Sequence, residues 1–225
     1  MKAFITLTIV LCSCVPALGS VARILCYDKP SNAPDVVYIY VDSQLHGEVE
    51  LPKLKFGEDI ELKASGSDLQ IVLSPKIIEK GQELPSELPS IKVSKDWKKF
   101  LIIVIEDKNN EALPIKPFAI NANDDYFGNK DFLFINLSPN YVVGTFGDKV
   151  IELEPQKIQV EKMSAYSGEF LDAKLDYVRP DDNGKRRWMV YKGWRVLPDR
   201  RTLVFCYPQS GRTTMKYFAT QVKNM

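Results

Sequence analysis

Leu171-Asp172-Ala173-Lys174-Leu175-Asp176-Tyr177 sets an apolar side chain at every second residue and a charged one between each pair. A repeat of two is that of a strand, because successive side chains leave a pleated backbone on opposite faces. One face of this stretch is dry and the other wet. Asp59-Ile60-Glu61-Leu62-Lys63-Ala64 does the same, with Ile60, Leu62 and Ala64 on one side. Outward from these, strands are expected at 21–27, 36–42, 69–74, 99–106, 131–137, 141–146, 149–153, 157–162, 186–196, 201–207 and 213–219, many rich in Val, Ile, Phe and Tyr. Ser65-Gly66-Ser67, Phe146-Gly147-Asp148 and Asp181-Asp182-Asn183-Gly184 supply turns between them, the last containing Asn-Gly, a strong hairpin signal. Many short strands with such punctuation indicate sandwiches or barrels. The chain reads as all-β.

Two segments break the pattern. Residues 74–92 hold Pro75, Pro85 and Pro89 and the small repeat Glu83-Leu84-Pro85-Ser86/Glu87-Leu88-Pro89-Ser90, so a loop or edge excursion is expected there. Residues 114–130 open on Pro114 and Pro117 and run through Asn121-Ala122-Asn123-Asp124-Asp125, the expected domain boundary. The halves match in type: Trp97-Lys98-Lys99-Phe100-Leu101-Ile102-Ile103-Val104 parallels Pro198-Asp199-Arg200-Arg201-Thr202-Leu203-Val204-Phe205. Their offset is near one hundred residues, about the length of one immunoglobulin-like sandwich. The expectation is two immunoglobulin-like β-sandwich domains in tandem, 20–118 and 130–223, from a duplicated fold.

Residues 1–19 read as an export signal: Lys2, then the apolar Ala3 to Leu11, then Ala17-Leu18-Gly19 before Ser20. That stretch is shorter than the roughly 20 apolar residues of a membrane span, so no span is expected in the mature chain. Secretion or an envelope or periplasmic location follows. Leu11-Cys12-Ser13-Cys14 resembles the lipobox of bacterial lipoproteins, and anchoring through Cys14 is the alternative. Two cysteines remain after cleavage, Cys26 and Cys206, each in an apolar strand of a different half. They are expected as buried thiols rather than a bridge.

The 225 residues are 45% hydrophobic and 26% charged, with 30 Lys+Arg against 29 Asp+Glu, which excludes wholesale disorder. A single histidine, His46, excludes multi-histidine metal sites. Nucleotide-binding glycine loops and the Gly-x-Ser-x-Gly elbow are absent. Asp124-Asp125 and Asp181-Asp182 sit among Asn and Gly, where Asp builds turns. Counted from Asn121, positions six and twelve of the Asx-rich 121–131 stretch are Tyr126 and Phe132, so the EF-hand pattern fails. No catalytic set, cofactor or metal is expected.

Charge is unevenly placed. From Arg179 onward there are eleven Lys/Arg and three Asp, net +8, against −7 for residues 1–178. Lys185-Arg186-Arg187-Trp188-Met189-Val190-Tyr191-Lys192-Gly193-Trp194-Arg195 interleaves cations with aromatics. Guanidinium groups recognise carboxylate and phosphate in pairs of bonds, and an indole offers a stacking face. Lys185, Arg187, Trp188, Lys192, Trp194 and Arg201 are the candidate binding residues for a polyanionic glycan or another envelope component. Nucleic acid is disfavoured by export.

Phe132-Leu133-Phe134-Ile135-Asn136-Leu137-Ser138, then Gly144-x-x-Gly147, then Arg201-x-Leu203-Val204-Phe205-x-Tyr207 resembles secreted bacterial β-sandwich proteins of uncharacterised function. Ala22-Arg23 with Asp35-Val36-Val37-Tyr38-Ile39-Tyr40-Val41-Asp42 is similar to an immunoglobulin-like domain family of unknown function, although Tyr27-Asp28-Lys29-Pro30 stands where that family carries a His-Ala-Ser-Pro-like stretch. The resemblance implies fold and export, and brings no catalytic residues. The reading is an exported, non-enzymatic module that binds or organises a partner. A polyanion- or carbohydrate-binding module using 185–201 is the first alternative, and a secreted hydrolase the second.

Overall fold

The computed structural model describes residues 19–27, 29–63, 68–209, 213–223 and 225. Residues 1–18, which hold most of the expected export signal with Cys12 and Cys14, and the expected Ser65-Gly66-Ser67 turn lie outside them. The first half builds eight strands: β1 (Gly19–Cys26), β2 (Val36–Val41), β3 (Gln44–Glu50), β4 (Ile60–Lys63), β5 (Leu69–Ser74), β6 (Ser90–Val93), β7 (Lys99–Glu106) and β8 (Ile115–Asn121). The second builds eight more: β9 (Phe132–Asn136), β10 (Tyr141–Phe146), β11 (Lys149–Leu153), β12 (Ile158–Glu161), β13 (Phe170–Val178), β14 (Arg186–Arg195), β15 (Arg200–Pro208) and β16 (Met215–Lys223). The protein is all-β, and each half folds as a sandwich of two four-stranded sheets.

The duplication is visible in the strand order. The first half has sheets β4-β1-β7-β8 and β3-β2-β5-β6; the second has β12-β9-β15-β16 and β11-β10-β13-β14. Renumbered from one, the two halves are identical. Each also contains one parallel pair, β1 with β7 and β9 with β15, among antiparallel neighbours. An immunoglobulin constant domain sets its second strand between the first and fifth; here β2 lies between β3 and β5. The sandwich architecture is shared and the path of the chain is its own.

Pairing registers align Lys99 with Arg201 and Phe100 with Thr202, since Val21 opposes Lys99, Ala22 opposes Phe100 and Phe132 opposes Thr202. The match read from sequence set Phe100 beside Arg201, one residue off. In a strand that slip exchanges faces: Phe100 lies inside the first sandwich, whereas Arg201 points away from the second.

A third core joins the sandwiches. Leu25, Leu101, Ile103 and Ile120 of one inner sheet pack on Leu133, Ile135, Leu203, Phe205 and Val222 of the other. Strands β7, β9 and β15 are therefore covered on both faces, which is why they read as unbroken apolar runs. The order of layers is outer sheet, inner sheet, inner sheet, outer sheet. Strand β8 occupies the start of the expected boundary, with Pro117 opposite Val104; as an edge strand it tolerates a missing N–H. Cys26 is buried in the first core and Cys206 in the second, with no disulfide between them. Burial pushes the Cys206 thiol up to about 12.

Candidate functional site

The outer faces of the two outer sheets differ. In the first sandwich, Tyr38, Tyr40 and Val72 face outward and are covered by Ile78, Leu84 and Leu88 of the proline-rich 75–89 excursion. Tyr40 Oη accepts the Ile78 N–H at 2.7 Å, and the Leu73 N–H donates to the Pro89 carbonyl at 2.9 Å. The excursion is a strap across the sheet. In the second sandwich the same connection, from β13 to β14, is a short hairpin with Asn183 and Gly184 both at positive φ (49° and 78°). No strap forms, and that face stays open.

The open face is aromatic. The β13 pattern sends Leu171, Ala173, Leu175 and Tyr177 inward and leaves Phe170, Asp172, Lys174 and Asp176 outward. Pairing carries that division into β14: Trp188 opposes Asp176, Tyr191 opposes Lys174 and Arg195 opposes Phe170. Trp188 (73% exposed), Phe170 (72%) and Tyr191 (56%) stand in the open, with Val150 and Tyr141 also exposed on the same sheet. Asp176 pairs with Trp188 and Leu175 with Val190, so Met189 is an extra residue in β14. This bulge buries Met189 and Val190 together and keeps Trp188 and Tyr191 on one side. Strict alternation along β14 would have put them on opposite sides. Trp188 and Tyr191 then sit two residue pairs apart, roughly 7 Å.

Charged groups frame the rings. Lys174 Nζ lies 5.0 Å from the Tyr191 ring centre and the Arg195 guanidinium 5.7 Å from that of Phe170. Tyr191 Oη donates to Asp172 at 3.2 Å. Beside them a depression of about 330 Å³ is lined by Val143, Thr145, Val150, Glu152, Asp176 and Arg186 among others.

Four of the six candidate residues stay at the protein surface around β14. Trp188 is on the open face and Lys185 is exposed just before the strand, whereas Lys192, exposed along the β14 edge, opposes the inward Ala173 and points to the other side of the sheet. Arg187 is half-buried and donates to Asp182 at 2.5 Å, which holds the Asp182 carboxyl below the usual carboxylate range. The other two leave it. Trp194 is in the second core, its ring centre 5.8 Å from those of Phe146 and Tyr217. Arg201 is 1% exposed; it donates to the carbonyls of Ala122 and Phe127, each at 2.5 Å, and to Asp124 at 2.9 Å. It belongs to the junction between sandwiches, not to a binding face. Missed from sequence were Phe170, Tyr191, Tyr141 and Val150. Phe170 gave a signal: it occupies a position of the β13 alternation otherwise held by Asp172, Lys174 and Asp176.

The catalytic alternatives find other partners. Asp124 binds Lys99 at 2.8 Å as well as Arg201, and its carboxyl is held low, first by the Lys99 hydrogen bond. A glycosidic general acid needs a raised carboxyl instead, and both Asp124 and Asp182 are lowered. His46 lies in β3 as a bulged residue, between the Ile39–Gly47 and Tyr40–Leu45 pairs, rather than in a turn. It lines an acidic groove with Glu48, Glu50, Glu58 and Glu61, and none of the groove's lining residues is Ser, Thr or Cys. Asx oxygens of the 121–131 stretch serve backbone and cations: Asn121 accepts the Asn123 N–H, Asn123 that of Lys99, and Asp131 accepts Gly128 N–H and Lys162. Among the described residues no group of three His, Cys, Asp or Glu is placed to hold a metal ion, and no helix is long and apolar enough to cross a membrane. No protein-family model matches the chain, and no curated protein matches it.

Proposed function

We propose that this is an exported, non-enzymatic binding module whose ligand surface is the open outer face of the second sandwich. One observation carries the reading. Trp188, Tyr191 and Phe170 are exposed together on a sheet whose counterpart in the first sandwich is closed by its own strap. Exposed aromatic side chains grouped on one face mark interaction sites. The lowered Asp124 and Asp182 and the groove around His46 favour binding over hydrolysis. Export, and a place among secreted bacterial β-sandwich proteins, rest on the N-terminal residues and the resemblance drawn from sequence. A saccharide is a second reading, favoured by flat rings bordered by Asp172, Asp176, Lys174 and Arg186.

Trp188→Ala and Tyr191→Ala variants, screened beside the wild type against arrays of oligosaccharides and of synthetic peptides, test the surface. Retention lost in both variants with melting temperature within about 1 °C is the expected result; ligands that bind all three proteins equally would place the site elsewhere. For export, N-terminal sequencing of envelope or supernatant material should begin near Ser20, and a lipidated Cys14 would establish the anchored alternative.

A further inference from the structure

We infer that the open face takes a proline-containing segment of another protein chain, carrying acidic and leucine side chains in alternation with its prolines. The inference rests on the binding-surface reading and names the ligand for it. The internal repeat is the argument. Two sandwiches of identical strand order share a face that one of them closes with Ile78, Leu84 and Leu88 from a strap that contains Pro75, Pro85 and Pro89 and turns at 79–82 and 85–88. Such straps suit the face because a proline-fixed backbone loses little freedom when it docks, and aromatic rings pack on its prolines. In the second sandwich the connection that would form the strap is spent on the 179–185 turn, so the cover must come from elsewhere. The chain's own strap is already seated, with Leu88 buried.

Position and charge refine the occupant. In the first sandwich the strap rests on β2 and β5 through Tyr38, Tyr40 and Val72. Their counterparts in the second sandwich are Val143, Thr145 and Lys174, and the large rings lie one strand further out, at Trp188 and Tyr191. An incoming segment therefore lies toward β14. On the open face stand Arg186 and Arg195 of β14 and Lys174 of β13, with Lys185 before β14 and no acidic residue in that strand, whereas Lys192 opposes the inward Ala173 and points to the other side; Glu152, Asp172 and Asp176 share the face on the strands behind. A segment with acids at the four-residue spacing of Glu83 and Glu87 meets cations there.

The probe is a fluorescently labelled peptide, Glu-Leu-Pro-Ser-Glu-Leu-Pro-Ser, followed by anisotropy on the full mature chain. Saturable binding is expected, weakened at least tenfold by Trp188→Ala or Tyr191→Ala, by Lys in place of Glu in the peptide, and by salt, which screens exposed charges beyond about 8 Å at physiological strength. No saturation up to millimolar peptide, or binding indifferent to Trp188→Ala, overturns the inference. A uronic-acid hexasaccharide run in parallel separates the two readings. If the saccharide shifts Trp188 fluorescence while the peptide is silent, the surface stands and the peptide falls. Silence of both counts against both.

Discussion

Arg201 and Lys99 occupy equivalent places in the two repeats, at the starts of β15 and β7, and both hold Asp124 of the connecting segment, at 2.9 and 2.8 Å. One carboxylate thus ties the two halves to the chain between them. Arg201 also satisfies two backbone carbonyls that have no water to turn to, so truncation leaves acceptors unpaired and a cavity behind. Arg201→Ala should cost about 3 kcal/mol in urea unfolding. Arg201→Lys should recover little, because one ammonium cannot reach three acceptors spread as a guanidinium fork reaches them. A loss below about 0.5 kcal/mol would mean the residue is a solvated cation after all. Asp124 adds a pH dependence. Its folded carboxyl lies below the ordinary 3.8, so its contribution is complete above that value and disappears as pH falls through the folded one. Asp124→Asn should lower stability at neutral pH and flatten the acid limb of a melting-temperature profile; an unchanged limb would remove Asp124 from the account. None of this was legible beforehand, because Arg201 reads from sequence as one more cation of the basic 185–201 segment.

Strands were legible where alternation or β-rich composition was intact, and lost where a local device broke it. β10 and β11 emerge with the bounds expected, 141–146 and 149–153. β3 was missed because His46 bulges out of the pairing, and because its turn uses Asp42 and Ser43 at positive φ in place of Asn-Gly. β8 was hidden by Pro117, and the third core by reading unbroken apolar runs as strands covered on one side. The open face was half legible: Trp188 was singled out, but the bulge that sets Tyr191 beside it cannot be counted from β14 alone. Gly144 shows how tight the supporting sheet is. It opposes Leu175 at the step where β13 and β14 shift register, and a Cβ there would fall 1.9 Å from the Lys174 carbonyl oxygen and 3.0 Å from Leu175 Cα. Both obstacles are backbone and cannot rotate away. Gly144→Ala should therefore force β10 from β13 and cost about 3 kcal/mol, the upper range for overpacking, and weaken whatever binds the outer face. Gly147→Ala fails differently, through its φ of +58° in the two-residue turn before β11. A melting curve unmoved by Gly144→Ala would refute the close approach.

The whole molecule is two copies of one sandwich meeting through the same face of each, as the subunits of a two-fold dimer do. Equivalent inner sheets are buried against each other, and the connecting residues 122–131 are pinned at both ends: Ala122 N–H to Lys99 carbonyl at 2.9 Å, Lys130 N–H to that of Arg200 at 2.6 Å. The 114–130 boundary expected from sequence would by itself suggest separable halves. The buried contact argues otherwise. Tyr27 of the first sandwich stacks on Phe205 of the second at 5.1 Å, and Phe218 closes the group at 6.0 Å from each. Removing the first sandwich would bare Leu133, Ile135, Leu203 and Phe205 as a continuous apolar sheet face, which a folded monomer seldom tolerates. The protein should thus melt in one calorimetric transition, with calorimetric and van't Hoff enthalpies equal. Phe205→Ala should lower that transition by about 10 °C, from a cost of about 3–5 kcal/mol spread over a chain of this length, and should do so without splitting it. A nick between residues 122 and 131 should leave the halves associated on gel filtration. Two separated transitions in the wild type, or fragments that part after the nick, would show that each sandwich stands alone and that the third core is a weak contact.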